Sequence, residues 1–163
     1  MRTRIARAEF EHLCSGDMMS EYTISEEVVA GASPEDEESV RNLAKSGFKA
    51  ILNLRPTDAP AQFSSRDEGL AAAEAGLTYL CFPVAEGEVD DFHVRSLHSK
   101  LKLLPKPVFM HGDNSSSAAA LGILDRAVSE NWTADEAVQR ARELGVEVDD
   151  ASFRGFVERA SEA

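Results

Sequence analysis

Only two of the 163 residues are cysteines, Cys14 and Cys81. One stands in a polar N-terminal segment and the other inside an apolar run. Such a pair argues against a disulfide framework, and a reducing, cytoplasmic setting is expected. Basic residues are also scarce, with 17 Lys and Arg against 29 Asp and Glu and a formal net charge of −12. A surface of that sign repels DNA, RNA and anionic lipid, so no nucleic-acid partner and no membrane partner are expected. No apolar run approaches the ~20 residues that span a bilayer. The opening MRTRIARAEFEHLCSGDMM lacks the long apolar stretch of a signal peptide. His93 and His98 are five apart, which takes them off one helical face, and no cysteine lies near them. No metal site and no cofactor are expected.

What remains is an ordinary globular composition, 43% hydrophobic and 28% charged. Residues 1–20 read as a flexible extension or a short peripheral helix, with Met18 or Met19 as a candidate start. Residues 21–163 read as one domain. Short apolar runs alternate with helical patterns. YTISEEVVA (22–30) predicts one or two strands, and Ser33-Pro34 predicts a helix start running to Ser46 and stopped by Gly47. FKAILNLR (48–55), LTYLCFPV (77–84) and PVFMH (107–111) predict buried strands. Helices are expected at about 65–75, about 90–104, from Ala118 to Glu130, from a Thr133–Glu136 capping box to Gly145, and after Asp149 or Asp150.

This alternation predicts an α/β fold of three layers, with a mainly parallel central sheet of four to five strands flanked by helices. In such a sheet, ligands bind outside the carboxyl ends of the strands. Arg55, the loop 85–91 and the stretch after His111 should therefore share one edge. There the segment Gly112, Asp113, Asn114, Ser115, Ser116, Ser117, Ala118 is small, polar and placed before a helix. Unpaired amides and the helix dipole at such a point favour an anion. Gly112 would allow unusual dihedrals. The plainer reading is a well-capped helix start, and Asp113 places a negative charge at the mouth.

The ordered set GFKAILNLRP, LTYLCFPV and PVFMHGDNSSSAAALGILDRA resembles the bacterial beta-lactamase-hydrolase-like phosphatase family, related to dual-specificity and protein tyrosine phosphatases. The resemblance covers about residues 21–130. It implies a protein-tyrosine-phosphatase-like fold, in which a cysteine directly after the His attacks phosphorus and an arginine closes the loop. An upstream acid protonates the leaving group. Here the nucleophile position is Gly112, and the arginine would fall at Ser117 or Ala118. Arg126 lies roughly 12 Å further along the helix. The resemblance therefore implies a pseudophosphatase that binds a phosphate- or sulfate-like anion, a phosphorylated ligand or a protein partner.

An alternative is an active phosphoric-ester hydrolase using His111, Asp113 and Arg55. Glu86 and Glu88 stand where the family acid would sit, or belong to a solvated loop with Asp90 or Asp91 capping the next helix. Arg55 either lends its charge to the loop or pairs with Asp58, Glu86 or Glu88. His111 is read as an organiser of the loop, and Cys81 as a small apolar filler of a buried strand. A third reading is a structural domain whose acidic face meets a basic partner.

Overall fold

The structure is a computed structural model that describes residues 21–56, 61–84, 90–112 and 114–161. The remaining positions include Cys14, Asp58, Glu86, Glu88 and Asp113, so the expectations attached to them and to the N-terminal extension lie outside the described residues.

Five strands form one sheet: β1 (Tyr22–Thr23), β2 (Val28–Ala30), β3 (Ala50–Asn53), β4 (Thr78–Cys81) and β5 (Val108–His111). Their spatial order is β1-β2-β5-β3-β4. Only β1 runs antiparallel to its neighbour; the other pairings are parallel. Between and after them lie α1 (Glu37–Lys45), α2 (Ser65–Glu74), α3 (Asp91–Leu103), α4 (Ser115–Ser129), α5 (Ala134–Leu144) and α6 (Asp150–Ser161). This is the three-layer α/β arrangement expected from the alternation of elements.

The strand period of two divides the core in two. Ala30, Leu52, Val108 and Met110 pack with α3 to α6, whereas Val29, Ile51 and Phe109 pack with α1 and α2. On the second face Phe48 meets Phe109 edge to face, with ring centroids 5.5 Å apart. Each fully buried aromatic of this kind stabilises the fold by about 1.5–3 kcal/mol relative to exposure. Gly31 marks a close approach, because a Cβ there would stand 2.8 Å from the Phe109 ring.

Three local expectations need correction. The cap of α1 is Asp36, whose side chain accepts from the Ser39 amide, rather than Ser33. Ser33 is drawn off to a tertiary partner described below. Helix α4 begins at Ser115, three residues before the expected start, because Asn114 caps it through a 2.7 Å bond from the Ser117 amide. Finally, β4 is a sheet edge, and Cys81 on it is exposed, not a buried filler. An apolar run did not distinguish an edge strand from a central one. Elsewhere the punctuation reads correctly: Gly145 ends α5 with φ 76°, a left-handed conformation that glycine adopts without steric cost.

Candidate functional site

The sheet register brings the named residues to one edge. Asn53 on β3 lies opposite His111 on β5 and Cys81 on β4. The ladder runs one step further, with the Leu54 amide donating to the His111 carbonyl at 2.7 Å and the Val84 amide donating to the Leu54 carbonyl at 3.0 Å. Arg55 and Gly112 leave the sheet just beyond this point.

The Arg55 and His111 side chains face one side of the sheet, and a Cβ at Gly112 would face the other. His111 follows Phe109 by two residues and so points to the α1–α2 face, where both residues of the Glu68–His111 pair are fully buried. His111 Nε2 hydrogen-bonds Glu68 Oε1. The other carboxylate oxygen of Glu68 accepts from Arg55 Nη2 at 2.8 Å. Arg55 is 9% exposed, and it also donates to the Phe63 carbonyl at 3.1 Å, to Ser65 Oγ at 3.4 Å and to Asn53 Oδ1 at 3.4 Å. Four of the five guanidinium N–H groups are thus engaged. Among the described residues the carboxylate that Arg55 meets is Glu68; the expected partners Asp58, Glu86 and Glu88 lie outside them. That residue carried no sequence signal, because a Glu in the first turn of a helix is ordinarily solvated and favoured there by the helix dipole.

Ser33 Oγ lies 2.9 Å from His111 Nδ1 and 3.0 Å from the Gly112 carbonyl oxygen. Its single hydrogen can serve only one of them. A neutral imidazole that donates from Nε2 leaves Glu68 anionic against Arg55, and the buried set then carries no net charge. Burial favours that arrangement strongly, since an uncompensated charge in the interior is costly. His111 Nδ1 then accepts from Ser33. Both ring nitrogens of His111 are then engaged within the protein.

Asn53 extends the network toward β4. Its amide nitrogen donates to Tyr79 Oη at 2.8 Å and to Ser65 Oγ at 2.9 Å, and its Oδ1 accepts from the Arg55 amide at 2.9 Å. Burial and the neighbouring Cys81 raise the pKa of the Tyr79 phenol well above its ordinary value. It stays protonated as part of the frame.

Gly112 turns to the opposite face. Its φ is not left-handed, so the unusual dihedral expected there is not used. A Cβ at this position would meet Leu54 Cβ at 3.5 Å, an ordinary contact. Helix α4 starts at Ser115, and the amides of Ser115 and Ser116 have no carbonyl partner within the helix. Gly112, Ser116, Ser117 and Ala118 line a cleft of about 560 Å³, which Leu54, Val84 and the C-terminal helix α6 complete. Gly112 and the first turn of α4 therefore open onto a cavity, while Arg55 and His111 lie on the far side of the sheet. Among the described residues no His, Cys, Asp or Glu cluster could hold a metal ion, and no helix is long and apolar enough to cross a membrane.

Residues 22–129 match the beta-lactamase hydrolase-like protein, phosphatase-like domain. The chain belongs to this family. A beta-lactamase hydrolase-like protein of Agrobacterium fabrum is 32% identical over 88 residues, 53% of this chain and 20% of that protein. The chain thus aligns with about a fifth of the length of this curated relative. The fold is that of the tyrosine-phosphatase-like enzymes. Pseudomonas aeruginosa TpbA, solved as a variant in complex with pTyr, superposes with a TM-score of 0.67 at 22% identity, covering 88% of each chain. The catalytic core of the PP-IP phosphatase SIW14 from S. cerevisiae, in complex with citrate, gives a TM-score of 0.63 at 15% identity, covering 85% of this chain and 83% of that one.

Proposed function

We propose that this phosphatase-like domain is a pseudophosphatase, which binds an oxyanion ligand or a protein partner and does not hydrolyse phosphate by cysteine chemistry. The observation that carries the reading is Gly112. It follows the His at the end of β5 and opens the turn into α4, where a thiolate nucleophile would be poised by the helix start. A glycine has no nucleophile, and Ser117 and Ala118 supply no guanidinium to hold a phosphoryl group. The turn keeps its helix-start amides and a cavity beside them. Complexes of structural relatives with pTyr and with citrate are consistent with an anionic ligand. The cysteine usage supports a cytoplasmic setting.

The alternative hydrolase would need His111 and Arg55 to abandon buried partners and cross to the other face of the sheet. Breaking such a pair costs about 3–5 kcal/mol, which disfavours it. The test is a titration of the whole chain with inorganic phosphate and sulfate, read by amide shifts, beside an aryl phosphatase assay. Binding at Gly112 and Ser116 without turnover is the expected result. Aryl phosphate hydrolysis that survives both Cys14→Ser and Cys81→Ser would sink the non-catalytic reading.

A further inference from the structure

The family match ends at residue 129, but the cleft beside Gly112 does not. Its outer wall is α6, where Phe153, Phe156 and Arg159 line the space with Leu121 and Leu124 of α4. We propose that this cleft binds a small amphiphilic anion, an aryl or short alkyl body with one oxyanion head, and that Arg159 provides the positive charge the 112–118 turn lacks. The proposal rests on the oxyanion reading of that turn and adds the ligand class.

The cleft, at about 560 Å³, has the size of a small-molecule site, and its lining is largely apolar with a few polar groups. Such a surface gains most from an apolar body, whose burial is favourable in proportion to the area covered. The charges fix its direction. Arg159 Nη2 lies 3.5 Å from Asp91 Oδ1, and Asp91 is the first residue of α3, which the chain enters from the carboxyl edge of the sheet. The guanidinium thus stands at the edge where Gly112 leaves β5. Glu147 and Asp149 also line the cleft. Asp149, however, precedes Arg159 by ten residues, roughly 15 Å of helix, and its carboxylate is turned onto the Ser152 amide at 3.3 Å. The oxyanion head therefore belongs at the Arg159 end and the body along α6.

Arg159 is also free to serve. Its side chain is 57% exposed and its contact with Asp91 is long, a pairing worth little in water. Its guanidinium carbon stands 5.8 Å from the Phe156 ring, which holds it along the wall. A Cβ at Gly155 would lie 3.3 Å from Arg159 Nη1, so the missing side chain leaves that path open. A charge-assisted bond to an oxyanion inside the cleft would be shorter and stronger than the present one. The two acidic liners and the formal charge of −12 disfavour a polyanion, so a single head is specified.

The experiment titrates the full chain with octyl phosphate, octanol and inorganic phosphate, each below any micelle-forming concentration, and follows the amides of Gly112, Ser116 and Phe156. Octyl phosphate should bind at least tenfold tighter than either fragment and move all three amides. Arg159→Gln, on an exposed side chain, should cost it about tenfold and leave octanol unaffected. Ala151→Trp, which fills the cleft from an exposed position, should weaken octyl phosphate as well. If octyl phosphate binds no tighter than inorganic phosphate, or ignores both substitutions, the amphiphile assignment is overturned; the oxyanion reading then stands so long as phosphate shifts Gly112 and Ser116. If neither anion moves those amides, both readings fail.

Discussion

Glu68 ties together the ends of the neighbouring strands β3 and β5, accepting from Arg55 Nη2 at 2.8 Å on one oxygen and hydrogen-bonding His111 Nε2 on the other. The carboxylate is fully buried, so its removal strands a guanidinium in the interior. Glu68→Ala should lower the stability by about 3–5 kcal/mol in urea unfolding. The double change Arg55→Leu with Glu68→Leu should cost less than the single one, because no charge is left unpaired. A loss below 1 kcal/mol for Glu68→Ala would mean that the pair is not buried as described.

Ser33 and Asp36 make contrasting predictions, because the capping role the sequence assigned to Ser33 falls to Asp36 while Ser33 meets His111. Asp36→Ala removes an exposed helix cap and should lower the melting temperature by less than the loss of a buried partner does. Ser33→Ala leaves the Nδ1 of a fully buried His111 without its partner and should cost about 1–3 kcal/mol. It should also shift the imidazole resonances of His111, whereas Asp36→Ala should leave them in place. The reverse ranking in thermal unfolding would restore Ser33 as the cap.

The difference between those two serine readings marks what the sequence could carry. Local signals predicted the elements well: Gly145 and the Thr133–Glu136 box bound α5, and the apolar runs at 50–53 and 108–111 became strands. They fail where a polar side chain chooses between a local and a distant partner. Ser33 had a helix start within reach and bonded a residue 78 positions away. Glu68 was not singled out by any local signal, and only the fold places two donors against it. The edge position of β4 likewise follows from strand order, which apolar runs do not encode. That a helix follows His111 was legible because its signals are local, although it starts at Ser115 and not at Ala118. The cleft was not, because its outer wall comes from a helix some 40 residues later.

The His98–Asp125 contact between α3 and α4 gives a pH-dependent outcome. Asp125 Oδ1 lies 2.8 Å from His98 Nδ1, and burial raises the Asp125 pKa above 3.8 despite the opposing pull of His98, Lys106 and Arg126. A raised folded-state value means that ionisation is harder in the folded chain than in the unfolded one. The associated stability is full below 3.8 and is lost as pH rises through the folded value. Asp125→Asn can still accept from His98 and has nothing to ionise. Its melting temperature should exceed that of the native chain at neutral pH, and the margin should shrink as the pH falls toward the ordinary carboxylate range. A margin that grows on acidification would reverse the assigned sign.

Gly112→Cys combined with Ser117→Arg asks whether the turn still has the geometry for phosphoryl chemistry. Room exists: the new Cβ would stand 3.5 Å from Leu54 Cβ, and φ at this position is accessible to any residue. Replacing a glycine at such a site restricts the unfolded chain, so Gly112→Cys alone should be neutral or stabilising by about 0.4–1 kcal/mol. The introduced thiol would face the start of α4, where amides and the helix dipole favour the thiolate. Its alkylation by iodoacetamide should follow a pKa below the ~8.5 of a free cysteine, with Cys14→Ser and Cys81→Ser together as the background. The double variant should then release aryl alcohol from an aryl phosphate, at a rate the native chain does not reach. A thiol that titrates like free cysteine would indicate that the turn no longer presents its amides to the position after His111.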